Sequence, residues 1–406
     1  MLFRSNTLSF TNASGSVFSN TSSTPTSNMN SFVVKYNGLT GAVIWNASFS
    51  SQRVNAGHGI AVDGTNNVFV TGNYYYYTQL YDSNNSASSS VQLLTPYLTN
   101  QGNYIVKYSG NGRPLAAAYM SNTLTGTALS QIAVDGTGNV FASGTYTGTL
   151  AIYDKDGNLD ASRSLYTGTQ SAFVVKFSDD LSTFGWVMSA NTATTVNPTS
   201  LAARNLGACI IGGTFTGPMT FIDPYGYVNP ISLPTGLGGT DAFMAMLNYA
   251  DSRNFNLTAR VSSAGNDAIT GVAVDGNSNV YMSGYNNGIA NFYPMQDLGG
   301  TAQVDAYKYA AQIGGQDVFI QKLVPYAPNN DGTSWIARIG SSGTDTAFID
   351  VDGLGSSIYV AGNYGNNACA FYDQNDGLYQ YSRFYNIKAA TTGGFITRFP
   401  LIRGNS

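Results

Sequence analysis

Phe32-Val33-Val34-Lys35-Tyr36 is a phrase that the chain writes six times. Close copies read Tyr104-Ile105-Val106-Lys107-Tyr108 and Phe173-Val174-Val175-Lys176-Phe177, and weaker ones run from Phe243 to Leu247, Phe319 to Leu323 and Phe395 to Phe399. Their starts are 72, 69, 70, 76 and 76 residues apart. A fixed period of this size marks one supersecondary unit that has been copied and that buries its apolar face only against its neighbours.

Four strand signals recur in order within each period. The first is Gly59-Ile60-Ala61-Val62-Asp63-Gly64, with copies at Gln131 to Gly136, Ser200 to Asn205, Gly271 to Gly276 and Ala347 to Gly353. The second is Val68-Phe69-Val70-Thr71-Gly72, repeated at Val140 to Gly144, Cys209 to Gly213, Val280 to Gly284 and Ile358 to Gly362. Two or three polar residues separate the pair, which is hairpin spacing, and Asp-Gly is expected to supply the positive φ of the turn. Both runs are nearly continuous in apolar character, as strands covered on both faces are. The opening phrase is the third strand. The fourth runs from Ala42 to Phe49, with copies near Leu115 to Met120, Gly185 to Ser189, Asn256 to Val261 and Trp335 to Ile339. No window combines a 3.6-residue period with helix caps. The prediction is an all-β chain of short antiparallel four-stranded units, the pattern of β-propeller blades.

An insert of about 25–30 residues separates strands two and three in each repeat, long for a hairpin loop. It carries its own recurring run, as in Thr149 to Asp154, Met219 to Asp223, Ala290 to Tyr293 and Ala370 to Asp373, followed by a polar turn and a second apolar run. Each insert reads as an extra β-hairpin projecting from one face, and Thr7 to Asn12 matches its opening strand. The chain therefore reads as one domain over residues 1–406, with units at about 31–102, 103–171, 172–241, 242–317 and 318–393, an N-terminal insert at 1–30 and a terminal strand at 394–406. The third and fourth strands at Phe32 to Tyr36 and Ala42 to Phe49 are expected to complete the last unit, giving five blades. That scheme leaves Phe395 to Phe399 without a place. Six blades with two incomplete ones is the alternative, and strand-mediated self-association through the surplus strand is a third.

At these residues the chain resembles the SBBP-type β-propeller repeat family, whose signature pairs a Phe-Val-Ala-Lys-Tyr strand with a strand containing Trp, then Gly-Ile-Ala-Val-Asp and Val-Tyr-Val-Thr-Gly. The matching residues are Phe32 to Tyr36, Val43 to Trp45, Gly59 to Asp63 and Val68 to Gly72. The third repeat departs from the pattern at Arg204-Asn205, where the others have Asp-Gly. The resemblance implies a secreted, cell-surface or large-virus protein in which the propeller is a structural or binding element, and it carries over no catalytic residues.

Composition narrows the function classes. Charged residues make up 10% of the 406 and aromatics 13%, which excludes the charge-rich, aromatic-poor composition of a disordered chain. The net charge is −4 and no Lys/Arg cluster occurs, so the electrostatic footprint of a nucleic-acid binder is missing. A polar, uncharged surface rich in Asn, Ser and Thr fits an extracellular, cell-surface or virion setting. The start, Met1 to Asn6, lacks the apolar stretch of a signal peptide, and no apolar run is long enough to span a membrane. Cys209 and Cys369 sit at non-equivalent places in their repeats, which reads as two buried thiols rather than a disulfide framework.

Chemistry-bearing motifs are few. The single histidine, His58, rules out repeated His-based sites and reads as structural. Asp154, Asp156, Asn158 and Asp160 alternate as calcium ligands do, but the loop lacks the Gly and closing Glu of an EF-hand, and a hairpin turn explains it together with the corresponding places in the other repeats. The series Asp63, Asp135, Asp275 and Asp352 reads as turn residues bonded to their own backbone. Gly72, Gly144, Gly213, Gly284 and Gly362 mark close packing or a bend. Lys35, Lys107, Lys176, Lys322 and Arg398 read as snorkelling surface positions. Tyr74-Tyr75-Tyr76-Tyr77 is a candidate ligand platform, since exposed tyrosines stack on sugars and anchor interfaces, and it reads equally as loop aromatics partly buried under the insert. Asn12, Asn20, Asn46, Asn84 and Asn256 match the glycosylation pattern. The expectation is a non-enzymatic structural or adhesive module without cofactor or resident metal. Its partners would be proteins of a surface assembly or glycans. A glycan-binding lectin and a polysaccharide hydrolase are the alternatives.

Overall fold

The computed structural model describes residues 2–3, 7–11, 17–21, 30–51, 55–75, 78–84, 86–91, 93, 101–122, 128–159, 165–192, 194–204, 207–222, 228–234, 236–248, 254–296, 307–308, 314–324, 333–352, 357–365, 370–372 and 392–400. These are strands and turns, with no helix among them. The chain divides into two compact units. One holds Met1–Ser189 with Pro224–Gly226, and the other holds Ala190–Asp223 with Tyr227–Ser406.

Every four-strand signal forms an antiparallel meander. In the first unit, Ala56–Val62, Val68–Tyr75, Gln101–Tyr108 and Pro114–Asn122 pair in sequence order. The next sheet begins Ala128–Val134, Val140–Tyr153, Leu165–Phe177. In the second unit the corresponding sets are Val196–Arg204, Ala208–Phe215, Asp241–Asn248 and Asn254–Ser262, then Ala268–Val274, Val280–Asn286, Asp317–Leu323 and Thr333–Gly340. Alternate residues of the second strands face opposite neighbours. Phe69 joins one core cluster with Ile105, Ile132 and Val175, whereas Val68 and Val70 join another with Trp45, Phe49 and Tyr108. Both faces are therefore apolar, which explains the unbroken hydrophobic runs.

The recurring glycine of the second strand is a packing slot. In four of the sheets the first strand bulges opposite it, between Gly57 and Gly59, Leu129 and Gln131, Pro198 and Ser200, and Ile269 and Gly271. A Cβ on Gly72, Gly144, Gly213 or Gly284 would strike the carbonyl oxygen of Ala56, Ala128, Asn197 or Ala268. On three of these the other wall is the aromatic ring of the third-strand partner, Tyr104, Phe243 or Phe319. Gly362 is held in the same way between Thr346 and Phe395, without the bulge.

The turn between strands one and two differs from expectation. Positive φ falls on the fourth turn residue, at Asn66 (67°), Gly138 (89°) and Ser278 (69°), and not on the Gly after Asp. The Asp amide donates to the carbonyl four residues on, and the Asp carbonyl accepts from the residue three on. This is a tight turn closed by one left-handed residue. The Asp carboxylate fixes it: Asp135 accepts from the Thr137 and Asn139 amides at 2.9 Å each and from Asn139 Nδ2 at 2.7 Å. In the third repeat Arg204 ends its strand, and residues 205–206 lie outside the described residues.

Two expectations are corrected by the strand pairing. The inserts' opening strands do not simply project. Each turns back and lies antiparallel on the fourth strand of the preceding sheet. Thr78–Tyr81 adds to Val43–Ser51, the far half of Val140–Tyr153 to Pro114–Asn122, Asn291–Gln296 to Asn254–Ser262, and Ala370–Tyr372 to Thr333–Gly340. The reason is apolar and recurs in register: Phe49 faces Leu80, Met120 faces Ile152, Val261 faces Phe292 and Ile339 faces Phe371. Hairpins do follow at Met219–Ile222 with Val228–Leu233 and at Asn291–Gln296 with Tyr307–Lys308. Thr7–Thr11 pairs with Val17–Thr21 as a hairpin, as expected.

The second correction concerns the terminal strands. Thr392–Pro400 pairs with Ser357–Gly365 along its whole length, so the final copy of the phrase is the third strand of its own sheet. The edge of Ser357–Gly365 that was assigned to Phe32–Tyr36 is thus taken. Asn30–Tyr36 instead pairs with Val43–Ser51 and, at its start, with Leu2–Phe3.

Two measurements check these packing claims. Gly284→Ala should lower stability to urea by about 3 kcal/mol, because the new methyl meets backbone and a ring, whereas Gly64→Ala, in open space, should change it by less than about 0.5 kcal/mol. Asp135→Ala should cost about 2 kcal/mol at neutral pH. Burial pushes the Asp135 carboxyl up, but hydrogen bonds from Asn139 and Thr137 outweigh it and hold it below its ordinary 3.8. Its contribution is therefore present above pH 3.8 and lost as pH falls through the lower folded value, so wild type and variant should converge in acid melts.

Candidate functional site

The tyrosine tract was the leading sequence candidate, and the structure removes its first member. Tyr74 is 0% exposed, packed over Gly102, its cross-strand partner, and 6.3 Å from the Tyr104 ring. Burial, with Tyr119 and Tyr153 nearby, holds its phenol far above the ordinary value. Tyr75 is half-buried, and Tyr76 and Tyr77 lie outside the described residues. The signal for this was in the sequence: two residues after four of the five slot glycines stand Tyr74, Tyr146, Phe215 and Tyr364, all buried, with Asn286 at the fifth. Tyr364 covers Gly393 as Tyr74 covers Gly102.

Asp154 sits in a hairpin turn of the same build as Asp135. Its carboxylate accepts from the Asp156 and Asn158 amides at 2.9 Å each and from Asn158 Nδ2 at 3.0 Å. Gly157 supplies the positive φ. The Asp156 carboxylate points away to Lys155 Nζ at 2.8 Å. Asp160 lies outside the described residues. Among the described residues no group of three or more His, Cys, Asp or Glu is placed to hold a metal ion.

The other singled-out residues are spread over the sheets. His58 is exposed at a first-strand bulge, with Nε2 3.3 Å from Asn73 Oδ1. Asp63 repeats the Asp135 turn. Asp275 does so too and also accepts from Tyr281 Oη at 3.0 Å. Cys209 is buried, and Cys369 is outside the described residues. Asn46 is buried and Asn84 exposed. The repeated cation does more than snorkel. Lys107 is buried, lies 5.2 Å from the Phe69 ring centre across the strand pair, and meets Asp179 at 3.4 Å. Lys322 over Tyr281 and Arg398 over Tyr359 repeat this geometry at 5.6 and 6.0 Å. Each is a cation held on a neighbouring ring.

A pair of loops in the second unit was missed by motif reading. Ser263-Ala264-Gly265-Asn266-Asp267 and Ser341-Ser342-Gly343-Thr344-Asp345 share a Ser-x-Gly-x-Asp pattern. Each lies against a Gly-Gly-x-Asp segment, at Gly238 to Asp241 and Gly314 to Asp317. The Gly239 amide donates to the Gly265 carbonyl and the Asp267 amide to the Thr240 carbonyl, at 3.0 and 2.7 Å. The Gly315 and Asp345 amides make the same bonds to Gly343 and Gln316, at 3.0 and 2.9 Å. Asp267 and Asp345 are wholly buried. Asp267 accepts from the Ser263 amide, from Ser263 Oγ at 2.7 Å and from the Asn287 amide at 3.2 Å. Asp345 accepts from Ser341 N and Oγ at 2.6 Å each and from the Gly365 amide at 3.1 Å. Burial pushes the Asp267 carboxyl up to about 6 despite these donors, with Asp241 adding to the rise, and it raises Asp345 in the same direction. These carboxylates tie one loop to the next strand, and their oxygens are turned to their own backbone.

No protein-family model and no curated protein matches this chain.

The buried acids make a testable pH signature. For an acid whose folded value lies above the unfolded one, the folded state binds the proton more tightly, so stability falls as pH rises between the two. The wild-type melting temperature should therefore carry a downward component between pH 4 and 6 from Asp267. Asp267→Asn should flatten that slope when melts are run from pH 4 to 8. An unchanged slope would show that the carboxyl titrates normally.

Proposed function

We propose that the chain is a non-enzymatic structural or adhesive module of an extracellular, cell-surface or virion assembly, built on the propeller plan. The observation that carries this reading is the interlocking of consecutive repeats, in which each of four sheets takes a strand beyond its fourth from the repeat that follows. Local opening of one sheet then requires release of its neighbour's insert. Such coupling suits a scaffold that must stay rigid under load.

The resemblance to SBBP-type repeats supports the same reading. So does a surface of short hydrogen-bonded turns with few charges. The pairing of Ser357–Gly365 with Thr392–Pro400 favours the six-sheet count over the five-blade scheme, with the N-terminal pair Asn30–Tyr36 and Val43–Ser51 as the sixth, incomplete member. A role in glycan binding loses Tyr74 as a stacking platform, because that ring has no free face.

The test is a crosslinking pull-down with the full chain on intact cell surfaces or particles, run beside a glycan array. The module reading expects a protein partner recovered after crosslinking and a blank array. Saturable glycan retention on the array, or turnover of a polysaccharide, would replace it with a lectin or a hydrolase.

A further inference from the structure

Asn-Gly occurs at Asn37-Gly38, Asn111-Gly112 and Asn287-Gly288. An asparagine before glycine can cyclise on its own main chain, because glycine has no side chain to shield the nitrogen that attacks. Local structure decides which pair does so. The glycine nitrogen must be free, and the backbone must be able to bring it to the asparagine side-chain carbon.

Two of the pairs are held. The Gly112 amide donates to the Ser109 carbonyl at 2.9 Å, and Gly112 is buried in the left-handed region (φ 79°) against the Trp45 ring. The Asn287 amide donates to Asp267 Oδ1 at 3.2 Å, and Asn286 Nδ2 donates to the Gly288 carbonyl at 2.7 Å, so the peptide between Asn287 and Gly288 is pinned at both ends. The Asn287 carbonyl also lies so close to Gly265 that a Cβ there would stand 2.0 Å from its oxygen.

Asn37 starts the turn between Asn30–Tyr36 and Val43–Ser51 and differs on each count. Residues 38–41 are exposed, Leu39 at 98%. The Gly38 amide has no hydrogen-bond partner among the described residues, and a Cβ on Gly38 would meet nothing within 4 Å. Asn37 Oδ1 accepts from the Leu39 amide at 2.9 Å and from the Thr40 amide at 3.0 Å. Two amides at this distance stabilise an oxygen that gains negative charge while its carbon is attacked. Every group in this arrangement belongs to residues 37–40, so the geometry is set inside the turn itself.

We infer that Asn37 is a self-modification site, at which the folded chain deamidates through a cyclic imide. The Gly38 nitrogen gives its proton to solvent base and bonds to Asn37 Cγ. The Cγ–Nδ2 bond breaks, Nδ2 takes up a proton and leaves as ammonia. One water then opens the ring, at Cγ to give aspartate or at the Asn37 main-chain carbonyl to give isoaspartate. One water is consumed for each ammonia released, and nothing is oxidised or reduced. Aspartate keeps the turn and binds the Leu39 and Thr40 amides as a charged acceptor. Isoaspartate lengthens the main chain by a methylene between the bonds that close the turn, from the Asn37 amide to Ala42 and from the Gly41 amide to Asn37.

Peptide mapping by mass spectrometry tests this on the full chain, aged folded and, in parallel, unfolded in guanidinium. In the folded chain Asn37 should convert at least about tenfold faster than Asn111 and Asn287, whereas unfolding should bring the three rates together. The Asn37 rate should rise with pH, because Gly38 must give up its proton. Gly38→Ala, whose methyl has open space, should slow conversion by at least about tenfold with an unchanged circular dichroism spectrum. An Asn37 that stays intact in the folded chain, conversion of Asn111 or Asn287 at the same rate, or a Gly38→Ala chain that ages like wild type would overturn the inference.

Discussion

The tightest constraint in this protein is the slot over the second-strand glycine. A first-strand carbonyl presses on Gly72, Gly144, Gly213, Gly284 and Gly362, and no side chain, not even a methyl, fits. In four sheets the first strand bulges to make this approach, and the bulge turns it more sharply than a regular ladder would. The sheet behind can then come close, as it does at Gly59, Ser200 and Gly271. The second strands are then buried on both faces.

The inserts add a second level of order. A strand placed on the outer edge of the sheet before it removes an open ladder and joins two repeats covalently and by hydrogen bonds. The apolar pairs Phe49–Leu80, Met120–Ile152, Val261–Phe292 and Ile339–Phe371 set the register, since a slip of one residue would turn each to the opposite face. Charge plays a small part in all this. Lys107, Lys322 and Arg398 lie on cross-strand rings, Asp63, Asp135, Asp154 and Asp275 close turns, and Asp267 and Asp345 bolt a loop from within.

Much of the candidate chemistry was legible and was local. Asp63, Asp135, Asp154 and Asp275 read as turn residues because their partners lie two and four positions away, within reach of any sequence argument. The tyrosine run left Tyr74 open between a platform and a buried aromatic, and its alignment with Tyr146, Phe215 and Tyr364 marks the buried position. Asp267 and Asp345 escaped notice because their environment is set by burial and by a donor from another loop, neither of which is written beside them.

The chain's order of residues determined the strand content, the four-strand unit, the turns and the need for glycine at the slots, because these depend on alternation and on neighbours within a few positions. Tertiary structure alone decided which edge each strand would take. The copies at Phe32 and Phe395 are nearly interchangeable in pattern, and only pairing across the sheet gave Ser357–Gly365 to the later one. The inserts likewise chose the sheet behind them rather than solvent, since an edge ladder and an apolar neighbour were waiting there. Those choices turn on contacts between residues far apart in the chain, where local pattern is silent.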